Sequence, residues 1–429
     1  MAVRLTCLVV TLIAAGVLPV SAQSGPNNCS TTSQNIYVRD VMNTFYLWYS
    51  EIPSVSAASF SSPEAYLDAV RYRPLDTSFS YIASAAATNA FYSDSQFIGF
   101  GLSTSVSETE MHVLQVFPES PAHEAGLARG DRILQIDGRP VTDLIASGQI
   151  GAAFGPSEIG VSSEVLFRSR EGVERRAQMT KRLVTIPTVS VTSVYEVDGR
   201  RVGYVFFRNF VQPSYAALDE AFATLREARV SELVLDLRYN GGGLVDVAVH
   251  LGSLIGGALT AGQPFATFAH NDRQAFRNET LRFASLDAPP LTLSRVIAVT
   301  TRSSASASEL VINALKPFMP VVLVGDATYG KPVGQYQFEF CSKVLAPVSF
   351  SLRNANDEGD FFGGIPATCL AADDIGHPLG DVAEASLAEA LHFIRHGSCS
   401  APQTETARAQ RAAAAPARAT GWQSVVNAY

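Results

Sequence analysis

Apolar positions change their spacing three times along the chain, and each change predicts a different kind of structure. Between Gln34 and Tyr49 the residues Ile36, Val38, Val41, Met42, Phe45 and Trp48 fall mostly on one helical face. Ser62-Pro63-Glu64 then opens a second helix, with proline one place after a serine cap, that continues through Tyr66, Leu67 and Val70. These helices predict a small helical N-terminal segment over 30–95, its aromatic stripe serving as core. From Gln96 to Val184 the spacing shortens to strands and turns, as in His112-Val113-Leu114-Gln115-Val116. After a linker near Thr185–Asp198, continuous apolar runs alternate with helical patterns. Val202–Phe207, Leu233–Leu237, Arg295–Thr300 and Val321–Val324 read as buried strands. Pro213–Arg229, Leu244–Leu254 and Leu310–Leu315 read as helices between them. An α/β core over 185–399 follows. The Ala-, Arg- and Thr-rich stretch 400–429 reads as a low-complexity tail.

The turn between the Arg295–Thr300 strand and the Leu310–Leu315 helix carries the most chemistry. Its sequence, Arg302-Ser303-Ser304-Ala305-Ser306-Ala307-Ser308-Glu309, places small residues at a helix N-terminus, where free N–H groups favour developing negative charge. A serine there suits nucleophilic catalysis. It suits a helix cap equally well, because Ser306-Ala307-Ser308-Glu309 matches the S-x-x-E capping box. Two other stretches lie at strand ends. Gly241-Gly242-Gly243 lacks dinucleotide-binding spacing and fits either an oxyanion hole or a plain turn. Gly325-Asp326-Ala327-Thr328-Tyr329-Gly330-Lys331-Pro332 imitates a phosphate loop, but Pro332 stands where the magnesium-binding Ser/Thr belongs. What remains there is Lys331, a general base if desolvated and a surface lysine otherwise.

Charge and cysteines narrow the setting. A net charge of −8 argues against a nucleic-acid partner. Residues 1–22 read as a signal peptide, with Arg4, an apolar Leu8–Leu18 run too short to span a bilayer comfortably, and Val20-Ser21-Ala22 as cleavage site. No second long apolar run follows, so a soluble exported protein, periplasmic or secreted, is expected. Cys29, Cys341, Cys369 and Cys399 then remain for an oxidising compartment, where four cysteines allow three pairings. The expected pattern is Cys341–Cys369, closing a local loop, with Cys29–Cys399 tying the ends. No C-x-x-C pair or nearby histidine supports a zinc site, and neither a metal nor a cofactor is expected.

The segment from Gln96 resembles a PDZ domain in the circularly permuted form found in bacterial proteases. Ile98-Gly99-Phe100-Gly101-Leu102 matches the carboxylate loop. Ser120-Pro121-Ala122 opens the short helix, and Gly130-Asp131-Arg132-Ile133-Leu134-Gln135-Ile136-Asp137-Gly138 is the following strand. The resemblance implies a peptide-binding domain over 96–184 in which Gly99, Phe100, Gly101 and Leu102 capture a C-terminal carboxylate. Downstream, Leu235-Asp236-Leu237-Arg238-Tyr239-Asn240-Gly241-Gly242-Gly243, the Ser-Ala-Ser-Ala-Ser-Glu turn and Gly330-Lys331 followed by Gln335 occur in this order. Together with the PDZ segment this resembles the tail-specific, or C-terminal processing, serine peptidases of family S41. The resemblance covers roughly Gln96 to Cys369. It implies a multidomain α+β protein whose core is of the ClpP/crotonase-like type. It also implies Ser306 as nucleophile, Lys331 as general base, Gln335 and Glu309 as supporting residues, and an oxyanion hole from the N–H groups of Ala307 and Gly242. Protein or peptide substrates would be the partners. Pro332 departs from the family, which usually has a second glycine after the lysine.

Two other functions fit parts of the pattern. A non-catalytic peptide- or ligand-binding protein would keep the scaffold without a reactive serine. An acyl hydrolase acting on small esters would keep the dyad but has no use for a PDZ domain. None of the seven histidines sits in a motif that supports a Ser-His-Asp triad.

Overall fold

The computed structural model describes residues 25–286 and 290–401. The expected signal peptide, and all but the first two residues of the expected tail, lie outside the described residues. The N-terminal helices form where periodicity and the Ser62 cap predict them, the first starting and ending a few residues earlier, at Thr31–Phe45. The Ser30 hydroxyl accepts from Ser33 N–H at the start of Thr31–Phe45, and the Ser62 hydroxyl accepts from Ala65 N–H at the start of Pro63–Val70. Their apolar faces, with Val38, Val41, Met42, Tyr66 and Leu67, pack with Phe338, Phe340, Leu345 and Val348 from the C-terminal half. The strand Tyr81–Ser84 adds antiparallel to Lys343–Ala346, which pairs in turn with Phe338–Phe340. The N-terminal segment is thereby built into the part of the chain that carries Lys331.

The second unit is an antiparallel sheet in the order Leu102–Val106, Met111–Val116, Arg132–Ile136, Ser162–Arg168, Glu174–Thr180. Its core holds Phe100, Leu102, Ile133, Leu144, Val165 and Phe167. The Leu102–Val106 strand is at the edge of this sheet, so one side of its backbone is open.

The core sheet has six strands in the order Val189–Val197, Arg200–Phe207, Glu232–Asp236, Val296–Thr300, Val321–Gly325, Cys369–Leu370. The first pair is antiparallel and the rest are parallel. Alternate residues of each strand serve opposite faces. Val205, Leu233, Leu235, Val296 and Ala298 meet the helices Ser214–Glu227, Val245–Gly256 and Ala307–Leu315. Tyr204, Phe206, Val234, Ile297 and Val299 meet the helix Ala385–His396. Burial on both faces explains why these strands read as unbroken apolar runs.

Two expectations are corrected here. The core is not of the ClpP/crotonase-like type. Between Glu232–Asp236 and Val296–Thr300 the chain leaves the sheet to build Pro264–His270 and Glu279–Arg282. Between Val321–Gly325 and Cys369–Leu370 it builds Val333–Gln335 and Val348–Arg353. These four strands make a separate antiparallel sheet. Apolar runs report that a strand is buried but carry no information on how strands are connected. The cysteine pairing also differs, being Cys29–Cys341 and Cys369–Cys399. Cys341 follows Phe340, beside the N-terminal helices. Cys369 lies on the core-sheet edge against the C-terminal helix. Closeness along the chain was the wrong criterion, because Cys341 lies in the turn between Phe338–Phe340 and Lys343–Ala346 while Cys369 lies on a strand of the core sheet.

Candidate active site

Ser306 caps the Ala307–Leu315 helix with φ 54° and ψ −113°, a conformation that costs a non-glycine residue about 1–3 kcal/mol. All nine residues of that helix are buried, so the turn is held by a fixed element. The capping box is present, but unequally. Glu309 accepts the Ser306 N–H at 2.8 Å, whereas the hydroxyl half falls short of a hydrogen bond. The neighbouring serines are spent on structure: Ser304 Oγ donates to Leu237 C=O at 2.8 Å and Ser308 Oγ to Asn240 C=O at 2.9 Å. Ser306 is thus the hydroxyl of the Ser-Ala-Ser-Ala-Ser run left free for chemistry.

Glu309 joins the two halves of the site. Its fully buried carboxylate accepts from Ser306 N–H and Lys331 N–H on one oxygen, at 2.8 and 2.9 Å. The other oxygen accepts from Gly330 N–H at 2.7 Å and Thr328 Oγ1 at 2.5 Å. The backbone nitrogens of Ser306 and Lys331 therefore lie within two hydrogen-bond lengths of each other. Burial pushes the Glu309 pKa up, and these four donors oppose it. They also explain why the Gly325–Pro332 stretch only imitates a phosphate loop, since a carboxylate already occupies its N–H groups.

Lys331 is buried, and desolvation pushes its pKa down to about 8 against the opposing charges of Asp76 and Glu309. Its Nζ donates to Gln335 Oε1 at 2.6 Å, not to Ser306 Oγ. Pro332 precedes the strand Val333–Gln335 and uses its carbonyl to accept from Leu352 N–H at 3.1 Å.

Gly242 stands on the other side of the serine. A Cβ built there would lie 2.8 Å from Ser306 Cβ and 2.9 Å from Ala307 N, and its φ is +101°. Only glycine allows this approach. Ala307 N–H, at the first helical position, has no hydrogen-bond partner among the described residues. Gly242 N–H is held by Asn240 Oδ1 at 2.9 Å. Asn240 is itself buried, donating to Phe207 C=O at 3.0 Å and accepting from Ala305 N–H at 3.0 Å. The structure thus brings Ser306, Ala307, Glu309, Gly242, Lys331 and Gln335 to one place.

Gly99, Phe100, Gly101 and Leu102 lie in the second unit, where the loop leads into the open edge strand. Phe100 C=O accepts from Ala122 N–H at 2.8 Å and Gly101 C=O from Phe117 N–H at 2.9 Å. The N–H groups of Phe100 and Gly101 have no such partner among the described residues. Sequence reasoning missed the links between the units. Arg129, beside the PDZ-like motif, donates to Leu114 C=O, to Tyr239 Oη at 2.5 Å and to Asp373 Oδ1 at 2.9 Å. Arg238 pairs with Asp236, Asp373 and Glu384 in the interior. The arginine inside the Leu-Asp-Leu-Arg run was a signal for such a network, because a charge within an apolar strand end must be paired. Cys369, Glu389 and Cys399 are close enough to hold an ion, but both sulfurs are in the disulfide.

Comparison with known proteins finds a family for three segments of the chain. Residues 201–365 match the model of peptidase family S41, 33–81 that of the peptidase S41 N-terminal domain, and 112–152 that of the PDZ domain. The chain is 27% identical over 245 residues to the carboxyl-terminal-processing protease of Synechocystis sp., covering 56% of this chain and 54% of the relative. It is 27% identical over 239 residues to the carboxy-terminal processing protease CtpB of Bacillus subtilis, covering 56% and 47%. The chain therefore spans about half the length of these curated relatives. Among solved structures, a Bacteroides fragilis protein assigned to the S41 proteases superposes with a TM-score of 0.67 at 27% identity, over 83% of this chain and 96% of that one. That likeness places the core with the S41 type and replaces the ClpP/crotonase assignment. The segment 201–365 is similar to peptidase family S41, with segments similar to the family's N-terminal domain and to a PDZ domain ahead of it.

Proposed function

We propose that this chain is a serine endopeptidase that cleaves polypeptides near their C-terminal region through a Ser306–Lys331 dyad. The observation that carries this is the shared Glu309 oxygen, which fixes the serine turn and the lysine turn against each other at 2.8 and 2.9 Å. Neutral Lys331 takes the proton of Ser306 Oγ as that oxygen attacks the peptide carbonyl. The oxyanion is received by Ala307 N–H and by Gly242 N–H once the latter leaves Asn240 Oδ1. The lysine then protonates the leaving amine, and water releases the acyl group by the same path in reverse. Gln335 orients the lysine. The bonds Lys331–Gln335 and Gly242–Asn240 describe a resting arrangement, and catalytic hydrogen bonds commonly tighten only when substrate is bound.

The PDZ unit supplies the substrate's far end. Phe100 and Gly101 N–H groups take its carboxylate, and the preceding residues add as a strand to Leu102–Val106. Export accords with two disulfides, which persist in oxidising compartments. No helix among the described residues is long and apolar enough to cross a membrane.

The test is cleavage of an unstructured polypeptide with an apolar C-terminus, wild type beside Ser306→Ala. Cleavage lost only in the variant supports both the activity and the nucleophile. Absence of cleavage by either protein favours a binding protein on the same scaffold.

A further inference from the structure

Gln335 has two ends, and the N-terminal domain decides which one faces the lysine. Its Nε2 donates to Phe79 C=O and, at 3.3 Å, to Ala346 C=O. An amide nitrogen held by two carbonyls leaves only the oxygen for Lys331, where Oε1 accepts from Nζ at 2.6 Å. Phe79 lies on the turn 76–80, and that turn is wound around Asp76. The Asp76 side chain is fully buried. Its Oδ1 accepts from Phe79 N–H at 2.8 Å and Ser80 N–H at 2.9 Å, and its Oδ2 from Tyr46 Oη at 2.9 Å and Ser80 Oγ at 2.5 Å. The same Ser80 hydroxyl accepts from Val348 N–H at 2.9 Å, fastening the turn to the strand next to Ala346. The Phe79 ring also lies over Lys331, with Nζ 6.0 Å from its centroid.

We propose that Asp76 is a positioning residue for the general base, acting through the 76–80 turn on Gln335 and, as a buried charge, on Lys331 itself. The proposal rests on the peptidase reading above and assigns the N-terminal domain a part in it. Four hydrogen bonds, two from backbone N–H groups and two from hydroxyls, end on the Asp76 side chain. The groups that face Lys331 are then two carboxylates, Asp76 from the N-terminal domain and Glu309 from the serine helix, with Gln335 as the neutral contact. Burial alone would drive the lysine further toward neutrality. The two carboxylates hold it where it can both take and return a proton near neutral pH.

The experiment is the rate of covalent labelling of Ser306 by a fluorophosphonate between pH 5.5 and 10, in wild type and Asp76→Asn. The amide oxygen can still accept from Phe79 and Ser80 N–H, so the turn survives while the charge is removed. Labelling reads activation of the serine without needing the natural substrate. With one opposing charge gone, the midpoint of the acid limb is expected about one pH unit lower than in wild type. A purely structural Asp76 would lower the rate at every pH and leave the midpoint in place, and that result overturns the proposal. Wild-type protein that is never labelled sinks the peptidase reading and this proposal with it, whereas labelled wild type with an unmoved variant midpoint sinks this proposal alone. If Asp76→Asn does not fold, Ser80→Ala removes one donor to the carboxylate and the bond to Val348. A kcat reduced about tenfold at unchanged KM is then expected, and an unchanged kcat is the contrary result.

Discussion

Replacing Lys331 by arginine keeps the charge and removes the proposed base. The magnitude follows from burial. With its pKa pushed down to about 8, roughly a tenth of Lys331 is neutral at pH 7, against roughly one part in a few thousand for an ordinary lysine. Desolvation thus raises the base-competent fraction about several-hundred-fold. Guanidinium stays protonated throughout the accessible range, so Lys331→Arg has no neutral form to use. A general base typically contributes about 10²–10⁴ in rate, and kcat/KM is expected to fall by about 10³. The sign of the pH dependence is fixed by the same argument. The active form is deprotonated, so wild-type activity is present above the midpoint and is lost as pH falls through about 8. The assay is hydrolysis of a short peptide from pH 6 to 10, with circular dichroism to show that the arginine variant is folded. A rate that is flat between pH 6 and 8, or a folded variant with a tenth of wild-type activity, would refute the lysine as base.

Two further outcomes follow from the geometry. Glu309→Gln removes the charge and presents an NH₂ group to donors that all need an acceptor, so urea unfolding should show a loss of about 3 kcal/mol and activity should fall with it. Gly101→Ala places a Cβ 2.0 Å from Ser120 Cβ at a φ of +86°, distorting the proposed carboxylate loop. Cleavage of long substrates should then fall more than cleavage of short peptides, and equal losses on both would argue against capture by this loop.

The helices of the N-terminal segment were legible because their caps and periodicity are local. The Ser-Ala-Ser-Ala-Ser-Glu turn, Gly242, Lys331 and Gln335 were legible as separate motifs for the same reason. Which serine is free was not. Ser304, Ser306 and Ser308 are alike in sequence, and only the positions of Leu237 C=O and Asn240 C=O show that the outer two are already bonded. The cysteine pairing was missed because 341 and 369 are near in sequence, while the fold places Cys341 in a turn beside the N-terminal helices and Cys369 on the core sheet.

By itself, then, the sequence determined the order of units and the kinds of elements, and nominated the candidate reactive groups. Each of these depends on neighbours within a few residues, through periodicity, capping and steric room at glycine. The tertiary structure decided how the core strands connect. It also decided that Glu309 serves both the Ser306 and the Lys331 turns, 25 residues apart, that Arg129 meets Tyr239, and that the turn wound around Asp76 meets Gln335. These are contacts between segments distant along the chain. They are formed only when burial removes water from both partners and leaves each polar group no cheaper neighbour.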